Sequence, residues 1–392
     1  MYTNKQWAKA DPNVTAFIAA SSGSAAAIEG TVGVGKSTVI LNAAEQLNLK
    51  PLLVIGSTHP PEDFSGIPYV DAQQASDQRY FAQIPPQFAS DSVNEACLIF
   101  LDELTTVKPS SRAPMLSWLS ERMICGRKVH PDSIFVAAYN PPELAPDATP
   151  LEKSMSNRFF HAEWKHDKMA WDRGMIDGEF TASWIPKPPP RSEWERFREP
   201  VGQQIVAYTN NNNGDLCQTP EDDSQYAFPT PRSWTYLRNA IALARSMDAP
   251  SPIIRKLCVG FVGDVVGRSF NQYLDTFDLI DVEKAIAEPM SFKHDNSRPD
   301  LTVVLMSGVV TSLKREFTTE RITNALKLFC DNIGGGKCAD LVLGQLRHLT
   351  ETKPTEPEPY KWNNEQLGMI KAFGDRLPAE FRKKMAAKRG AK

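Results

Sequence analysis

The segment at residues 30–37 has the residue types and spacing of a phosphate-binding loop. Its glycines allow the backbone to turn its N–H groups inward around an anion, and the helix expected after it would point its amino terminus at the same charge. Lys36 would reach the β- and γ-phosphates, and the Ser37 hydroxyl would bind Mg²⁺. The predicted nucleotide-binding residues are Gly30, Thr31, Val32, Gly33, Val34, Gly35, Lys36 and Ser37.

Two adjacent acids, Asp102 and Glu103, follow an apolar run at residues 97–101. An acid at the tip of a buried strand can hold Mg²⁺ through water, which is the role expected of Asp102. Glu103 would act as the general base that polarises the attacking water. The alternative interpretation is an exposed strand end. The position of this pair downstream of a phosphate-binding loop favours the catalytic interpretation.

Asn140 follows a third apolar run, residues 134–138, and allows two interpretations. Its neutral amide could position a water molecule against the γ-phosphate. Alternatively, Asn140 starts a turn before Pro141, which is a role that asparagine often fills.

These side chains require strands to position them, and the apolar runs supply them. Runs at residues 52–55, 97–101 and 134–138 are continuously apolar, which is typical of parallel strands covered on both faces. Residues 25–28 have weak strand propensity, but a strand is expected there because the glycine-rich loop follows. Beyond the proline-rich residues 186–190, apolar residues recur at helical spacing. The sequence therefore predicts an α/β fold with a parallel sheet, followed by helices.

Taken together, these elements resemble the AAA+ ATPases, and within them the MoxR group, over roughly residues 20–280. The resemblance makes the glycine-rich loop a Walker A motif, Asp102 and Glu103 a Walker B motif, and Asn140 a sensor 1 residue. Residues 61–66, 157–159 and 231–234 resemble further stretches of that family, the last being the start of its sensor 2 helix. The resemblance implies a P-loop AAA+ core at 1–195, an all-α lid at 196–282 and a helical extension with a basic tail at 283–392.

The resemblance also implies that two arginines act on the nucleotide. Arg158 would be an arginine finger that reaches the γ-phosphate held by a neighbouring subunit. Arg112 and Arg122 are the rival candidates, and a surface ion pair is the simplest alternative for Arg158. Arg232 would contact phosphate from the lid, in its own subunit or in a neighbour. The expected catalytic residues are Glu103, Asn140, Arg158 and Arg232, and the expected metal ligands are Ser37 and Asp102.

The activity implied by the resemblance is ATP hydrolysis with Mg²⁺ by a homo-oligomeric ring, expected to be a hexamer, that remodels or activates a protein client. A von Willebrand A-type protein is one candidate client. Residues 80–94 and 121–131 fall where this group inserts hairpins that face a pore, although ordinary connections are the alternative. Two other functions stay open: a nucleic-acid motor or loader, and a non-hydrolysing nucleotide switch. The intact Asp102 and Glu103 speak against the switch.

The composition of the chain limits the kinds of partner that we expect it to bind. The net charge of −3 disfavours a protein that coats nucleic acid. Residues 382–392 nevertheless carry six cations, which could form a soluble tail or a contact for nucleic acid or an acidic partner. No apolar stretch is long enough to span a membrane, and no signal peptide is evident. The six cysteines lack metal-ligand spacing. We therefore expect a cytoplasmic protein with reduced thiols and no membrane partner.

Overall fold

A computed structural model of the chain describes residues 2–70, 81–141, 144, 149–178, 180–222, 225–277, 281–293, 299–334, 342–346, 349 and 360–376. The basic tail at 382–392 lies outside these residues. The described residues form two compact units, the first within Met1–Val201 and Gly214–Asn271 and the second within Gly202–Asn213 and Gln272–Lys392. The division into domains at residues 195 and 282 stays a prediction.

The first unit is built on a sheet of five parallel strands in the order β2-β5-β8-β1-β9. Each of the apolar runs predicted as strands, including the weak one at residues 25–28, lies in this sheet. The described strands are β1 (Ala25–Glu29), β2 (Lys50–Ile55), β3 (Ile67–Val70), β4 (Phe81–Ile84), β5 (Cys97–Asp102), β6 (Met123–Ile124), β7 (Arg127–Lys128), β8 (Ile134–Tyr139) and β9 (Phe159–Glu163).

Helices flank the sheet and make up the carboxyl-terminal region, so the α/β fold class predicted from sequence is confirmed. The α-helices with defined bounds are α1 (Asn4–Trp7), α2 (Val14–Ser21), α3 (Lys36–Leu47), α4 (Pro61–Ser65), α5 (Gln87–Asn94), α6 (Pro109–Glu121), α7 (Lys153–Ser156), α8 (Lys168–Asp177), α9 (Arg191–Trp194), α10 (Arg198–Asn211), α11 (Pro231–Ser246), α12 (Ser251–Val262), α13 (Asp264–Phe277), α14 (Val282–Ala287), α15 (Pro299–Arg315), α16 (Thr319–Leu326) and α17 (Asn364–Arg376).

Both faces of the sheet are covered, which explains why its central strands are apolar throughout. Strands β5 and β8 are buried along almost their whole length. On one face, Phe64 of α4 and Met115 and Trp118 of α6 pack against alternate residues of the strands. Helices α2 and α3 contact the strands but contribute no residue to that cluster. They therefore cover the opposite face. Two later helices join this layer, since α11 packs on α2 and α12 packs on β9.

Two short antiparallel hairpins extend from the sheet, formed by β3 with β4 and by β6 with β7. The second lies within residues 121–131, where a hairpin was expected. The first begins earlier than the predicted segment 80–94, and the chain between its strands, residues 71–80, lies outside the described residues. The hairpins are adjacent, because a Cβ on Gly66 would lie 2.9 Å from Gln83 Cβ and 3.1 Å from Cys125 Sγ. Their role as pore loops stays a prediction.

The second unit has an apolar core of its own. Helices α14 to α17 contribute to it, with Leu305, Met306, Leu326 and Phe329 among the residues that are at most 2% exposed. A π-helix, Lys327–Ile333, continues directly from α16. In the part of the chain that the structure describes, no helix is both long and apolar enough to cross a membrane.

Candidate nucleotide site at the carboxyl edge of the sheet

Four sequence-predicted groups meet at one edge of the sheet. The loop 30–37 follows β1, Asp102 is the last residue of β5, Glu103 comes directly after it, and Asn140 follows β8. All of these strands are parallel and adjacent through the order β5-β8-β1. Their carboxyl ends therefore converge, which is where open α/β sheets bind ligands.

The backbone of the loop needs glycine at particular positions. Gly33 and Gly35 have φ angles of 76° and 85°, in the left-handed region that disfavours side chains. Gly30 has a different constraint, because a Cβ there would lie 2.6 Å from the Cβ of Trp164. Helix α3 begins at Lys36, directly after Gly35. The amino terminus of α3 and its unpaired N–H groups therefore adjoin the loop, as anion binding requires.

Lys36 is held at the centre of this edge. Its ammonium donates to the carbonyl oxygens of Gly30 at 2.6 Å and Thr31 at 3.0 Å. It also donates to Asn140 Oδ1 at 2.9 Å. Burial lowers the pKa of Lys36, and the negative charge of Asp102 opposes that effect. The side chain of Asn140 therefore faces the phosphate loop, which favours its interpretation as a site residue over that of a turn residue alone.

Ser37 and Asp102 form a pair of oxygen ligands suited to Mg²⁺. The Ser37 hydroxyl donates to Asp102 Oδ2 at 3.1 Å, close to the separation of about 2.9 Å expected for adjacent ligands of an octahedral magnesium ion. Among the described residues, no group of three or more His, Cys, Asp or Glu side chains is placed to hold a metal. A magnesium ion at this pair would therefore take its other ligands from phosphate and water, as it commonly does.

Glu103 lies exposed beside this pair, in a left-handed backbone conformation with φ of 56°. Its Oε2 accepts a hydrogen bond from Ser57 Oγ at 2.8 Å and a longer one from Thr106 Oγ1 at 3.5 Å. Its backbone N–H donates to Asp102 Oδ1 at 2.9 Å. Ser57 was missed from sequence. The signal was its place two residues after β2, the strand that pairs with β5 in the sheet.

The two rival finger candidates, Arg112 and Arg122, both make contacts within the chain. Arg112 is 4% exposed and donates to the backbone carbonyls of Val107, Thr105 and Thr149. Arg122 donates to the carbonyl of Ser133 and lies over the ring of Phe135, 5.4 Å from its centroid. Neither guanidinium is free to reach another subunit without breaking these contacts.

Arg158 and Arg232 lie together. The hydroxyl of Thr230, which caps α11, donates to Asn157 Oδ1 at 2.9 Å. Burial first, and then the nearby positive charge of Arg232, lower the pKa of Arg158. Its guanidinium donates to the carbonyl of Ser154, while its Nε is buried without a hydrogen-bond partner among the described residues.

This arginine pair lies at the amino-terminal ends of the strands, which form the amino edge of the sheet, opposite the phosphate loop. Arg158 comes directly before β9, and β9 is paired in parallel with β1 from Ala25↔Phe159 to Glu29↔Glu163. Five residues of strand therefore separate the level of Arg158 from the loop that follows Glu29. At about 3.3 Å a residue this is about 16 Å, more than an arginine side chain spans. Whether Arg232 acts in its own subunit or in a neighbour stays open, as it was from the sequence.

A pocket of about 520 Å³, including its open mouth, adjoins the loop. It is lined on one side by Val34, Gly35, Thr38 and Val39, and on the other by residues that no motif identified: Asp11, Asn13, Trp164, His166, Asp167, Ala170, Trp171, Phe180 and Thr181. Trp164 also donates from Nε1 to the carbonyl of Val34 at 3.2 Å. The segment after β9 therefore folds back onto the phosphate loop.

Comparison with known proteins adds little beyond the fold. No protein-family model matches the chain. No curated protein sequence matches it. Among solved structures, a protein from Cytophaga hutchinsonii provisionally assigned as an ATPase is 13% identical, with a TM-score of 0.45 over 77% of this chain and 92% of that one. NtrX from Brucella abortus is 12% identical, with a TM-score of 0.27 over 86% of this chain and 66% of that one. The NtrX complex with ADP, also from Brucella abortus, is 13% identical, with a TM-score of 0.28 over 87% of this chain and 67% of that one. Functional conclusions therefore rest on the geometry of the site.

Proposed function

We propose that this chain is an AAA+ ATPase of MoxR type that hydrolyses ATP with Mg²⁺ where two subunits meet. One observation carries the proposal. The groups that bind phosphate and activate water lie at the carboxyl edge of the sheet, whereas Arg158 and Arg232 lie at its amino edge. A site that needs both sets is complete only when the amino edge of a second copy meets the carboxyl edge of the first.

Each side chain at the carboxyl edge has a distinct task. Lys36 and the N–H groups of α3 hold the triphosphate. Mg²⁺ held by Ser37 and Asp102 would neutralise charge on the phosphates. Glu103 accepts the proton of the attacking water, and Ser57 fixes its carboxylate. Asn140, already hydrogen-bonded to Lys36, orients that water.

The arginines of a second copy would supply what this edge lacks. Charge on the transferred phosphoryl group is spread over its outer oxygens, so a guanidinium placed there stabilises the transition state more than bound ATP. The side chain of Arg158 is only partly buried and donates to one carbonyl, that of Ser154, which leaves it further donors for the phosphate of a second copy. Repetition of the same contact from copy to copy would close a ring if the rotation allows, and a hexamer is the expected form.

The proposal is tested with Arg158→Ala. We expect this variant to bind ATP normally and to lose turnover by about 10³-fold or more. Mixing it with Lys36→Ala subunits, which retain the arginine but lose the phosphate lysine, should restore part of the activity, because a mixed contact unites one intact set from each copy. Phosphate release is measured for each variant alone and for the mixture.

Arg191→Ala is the matched control, since Arg191 is exposed on α9 and its ion-pair partner is Glu195 at 4.0 Å. Its turnover should equal that of the unmodified protein. Normal turnover in Arg158→Ala, or a mixture no more active than the sum of its parts, would contradict the assembly of the site between copies.

The use of this hydrolysis is proposed from the resemblance alone. A MoxR-type ring would remodel or activate a protein client, with a von Willebrand A-type protein as the class of partner implied, in the cytoplasm. A trapped Glu103→Gln form that holds ATP is the form in which to identify the client by co-purification. Failure to retain any protein in the presence of ATP would count against a client-remodelling role.

A further inference from the structure

The pocket beside the phosphate loop contains a buried carboxylate that no step of hydrolysis uses. Asp11 lines the pocket and is 1% exposed. Its Oδ1 accepts from the backbone N–H of Asn13 at 2.8 Å and from Asn13 Nδ2 at 3.2 Å. Its Oδ2 is buried without a hydrogen-bond partner among the described residues. Burial raises the pKa of Asp11, and hydrogen bonds from Asn13 and from the N–H of Ser183 oppose that rise. A buried carboxylate oxygen left in this state is costly unless something else satisfies it.

Two other polar side chains that line the pocket, Asn13 and Asp167, are already engaged. The amide of Asn13 exchanges hydrogen bonds with the backbone of Lys165, accepting at 2.7 Å and donating at 2.9 Å. Asp167 accepts from the N–H of Ala170 at 3.0 Å and from the hydroxyl of Ser183. Asp11 Oδ2 is therefore the acceptor in this group that a ligand would find unsatisfied.

The walls of the pocket suit a flat aromatic ligand. Trp164, Trp171 and Phe180 line it, and Trp171 is 47% exposed although it is apolar. Aromatic side chains of this kind stack on nucleic-acid bases. The pocket adjoins Gly35 and Thr38, at the end of the phosphate loop and in the first turn of α3. A triphosphate on the loop would thus carry its base toward the pocket.

The number of carboxylate oxygens that Asp11 has available for hydrogen bonding favours some bases over others. Guanine presents two adjacent donors, N1–H and the 2-amino group, which suit a carboxylate with both oxygens available. Adenine presents a single amino group, which is a donor, while the corresponding position of guanine or hypoxanthine is a carbonyl oxygen. Asp11 has one oxygen available and, when ionised, only accepts. A carbonyl oxygen placed against it would be repelled.

We propose that Asp11 determines base specificity, and that its Oδ2 accepts a hydrogen bond from the 6-amino group of adenine. This inference rests on the proposed nucleotide-binding function of residues 30–37. It adds the base subsite and the residue that selects ATP over the oxo-purine nucleotides.

The test measures the affinity of the full chain for ATP, ITP, GTP, CTP and purine riboside triphosphate, which has hydrogen at position 6. Binding is followed through the fluorescence of the tryptophans that line the pocket and by calorimetry. We expect ATP to bind about 10- to 100-fold more tightly than ITP, as the loss of a hydrogen bond to a charged group requires. Purine riboside triphosphate should fall between ATP and ITP, because it lacks both the donor and the repelling oxygen.

The variant Asp11→Asn sharpens the test. It retains Oδ1 for Asn13 and places an amide NH₂ where Oδ2 was. We expect ATP to bind about 10-fold or more weakly, whereas ITP binds as well as before or better, because the amide can donate to its carbonyl oxygen. Asp172→Asn removes the same charge from an exposed position on α8, where Asp172 pairs with Lys168. It should leave the ratio of ATP to ITP affinity unchanged.

The outcomes separate this inference from the proposed function. Equal affinity for ATP and ITP, or a preference for GTP or CTP, overturns the role of Asp11. The proposed nucleotide site still stands in that case if nucleotide binding disappears in Lys36→Ala. Absence of binding by any nucleotide overturns both. If Asp11→Asn fails to fold, as judged by its melting curve, the nucleotide series on the unmodified chain still decides.

Discussion

At the scale of single residues, the site depends on a few polar contacts made at the tips of three strands. Lys36 connects the loop to Asn140, and Ser37 connects it to Asp102. Each contact joins groups distant in sequence, so the fold itself holds these side chains close to one another. That arrangement lowers the entropy cost of organising the reaction.

Glu103 is the residue whose loss should separate binding from chemistry. Glu103→Gln keeps the size of the side chain but cannot accept a proton, so we expect ATP affinity to be retained and turnover to fall by about 10² to 10⁴-fold. Steady-state phosphate release and equilibrium binding are measured on the same preparation. Glu45→Gln, an exposed change on α3, is the control. Turnover close to normal in Glu103→Gln would assign the base to another group.

At the scale of elements, the junctions after β1 and β9 are interlocked. Trp164 follows β9, donates its backbone N–H to the carbonyl of Glu29 at 2.6 Å and places its Cβ against Gly30. The segment from Trp164 through α8 then forms one wall of the pocket beside the loop. A change at Gly30 should therefore disturb phosphate binding and the pocket together.

Gly30→Ala tests this connection. The added Cβ would meet Trp164 Cβ at 2.6 Å, so we expect the free energy of unfolding to fall by about 1–3 kcal/mol and ATP to bind more weakly. Gly368→Ala in α17 meets nothing within 4 Å and should be neutral or stabilising by up to about 1 kcal/mol, because alanine favours a helix. Urea unfolding and ATP titration are the measurements. A Gly30→Ala variant as stable as the unmodified protein would show that Trp164 can move away at little cost.

At the scale of the whole molecule, a partly buried histidine on the sheet should make folding sensitive to acid. His161 of β9 makes a hydrogen bond of 2.8 Å between Nε2 and the carbonyl of Ser156 and stacks on Tyr226, with ring centroids 5.6 Å apart. Its Nδ1 is buried without a partner among the described residues. Burial lowers the pKa of His161 to about 4, because the charged form loses hydration.

The unfolded chain, with a histidine pKa near 6.5, binds this proton at a higher pH than the folded protein does. Stability should therefore decline as pH falls from about 6.5 to about 4. His161→Phe keeps the stacked ring and removes the titration. Over that pH range its free energy of unfolding should therefore fall by on the order of 1–3 kcal/mol less than that of the unmodified protein. Urea midpoints at each pH measure the difference. Parallel curves for the two proteins would mean that His161 does not control this transition.

Much of the fold could be predicted because its signals are local. Residues 97–101 and 134–138 are apolar throughout since both faces of a parallel strand are buried. Even the weak strand at residues 25–28 followed from the loop after it. The hairpin of β3 and β4 begins earlier than expected, because the expected segment was taken from the place of an insertion in the family and not from a pattern of residues. The pocket was missed for a different reason, since Asp11, Thr38 and Trp171 come from separate parts of the chain and form no motif.

The sequence by itself determined the phosphate loop, the pair of acids and the class of fold, because glycine spacing and continuous apolar runs encode backbone conformation and burial directly. Only the tertiary structure decided where the arginines lie. Arg112 and Arg122 are held internally, whereas Arg158 lies with Arg232 at the edge opposite to Lys36. That distinction depends on strand direction and register, which bring together or separate residues regardless of their spacing in the chain. The same folding placed Asp11 in the pocket beside the loop.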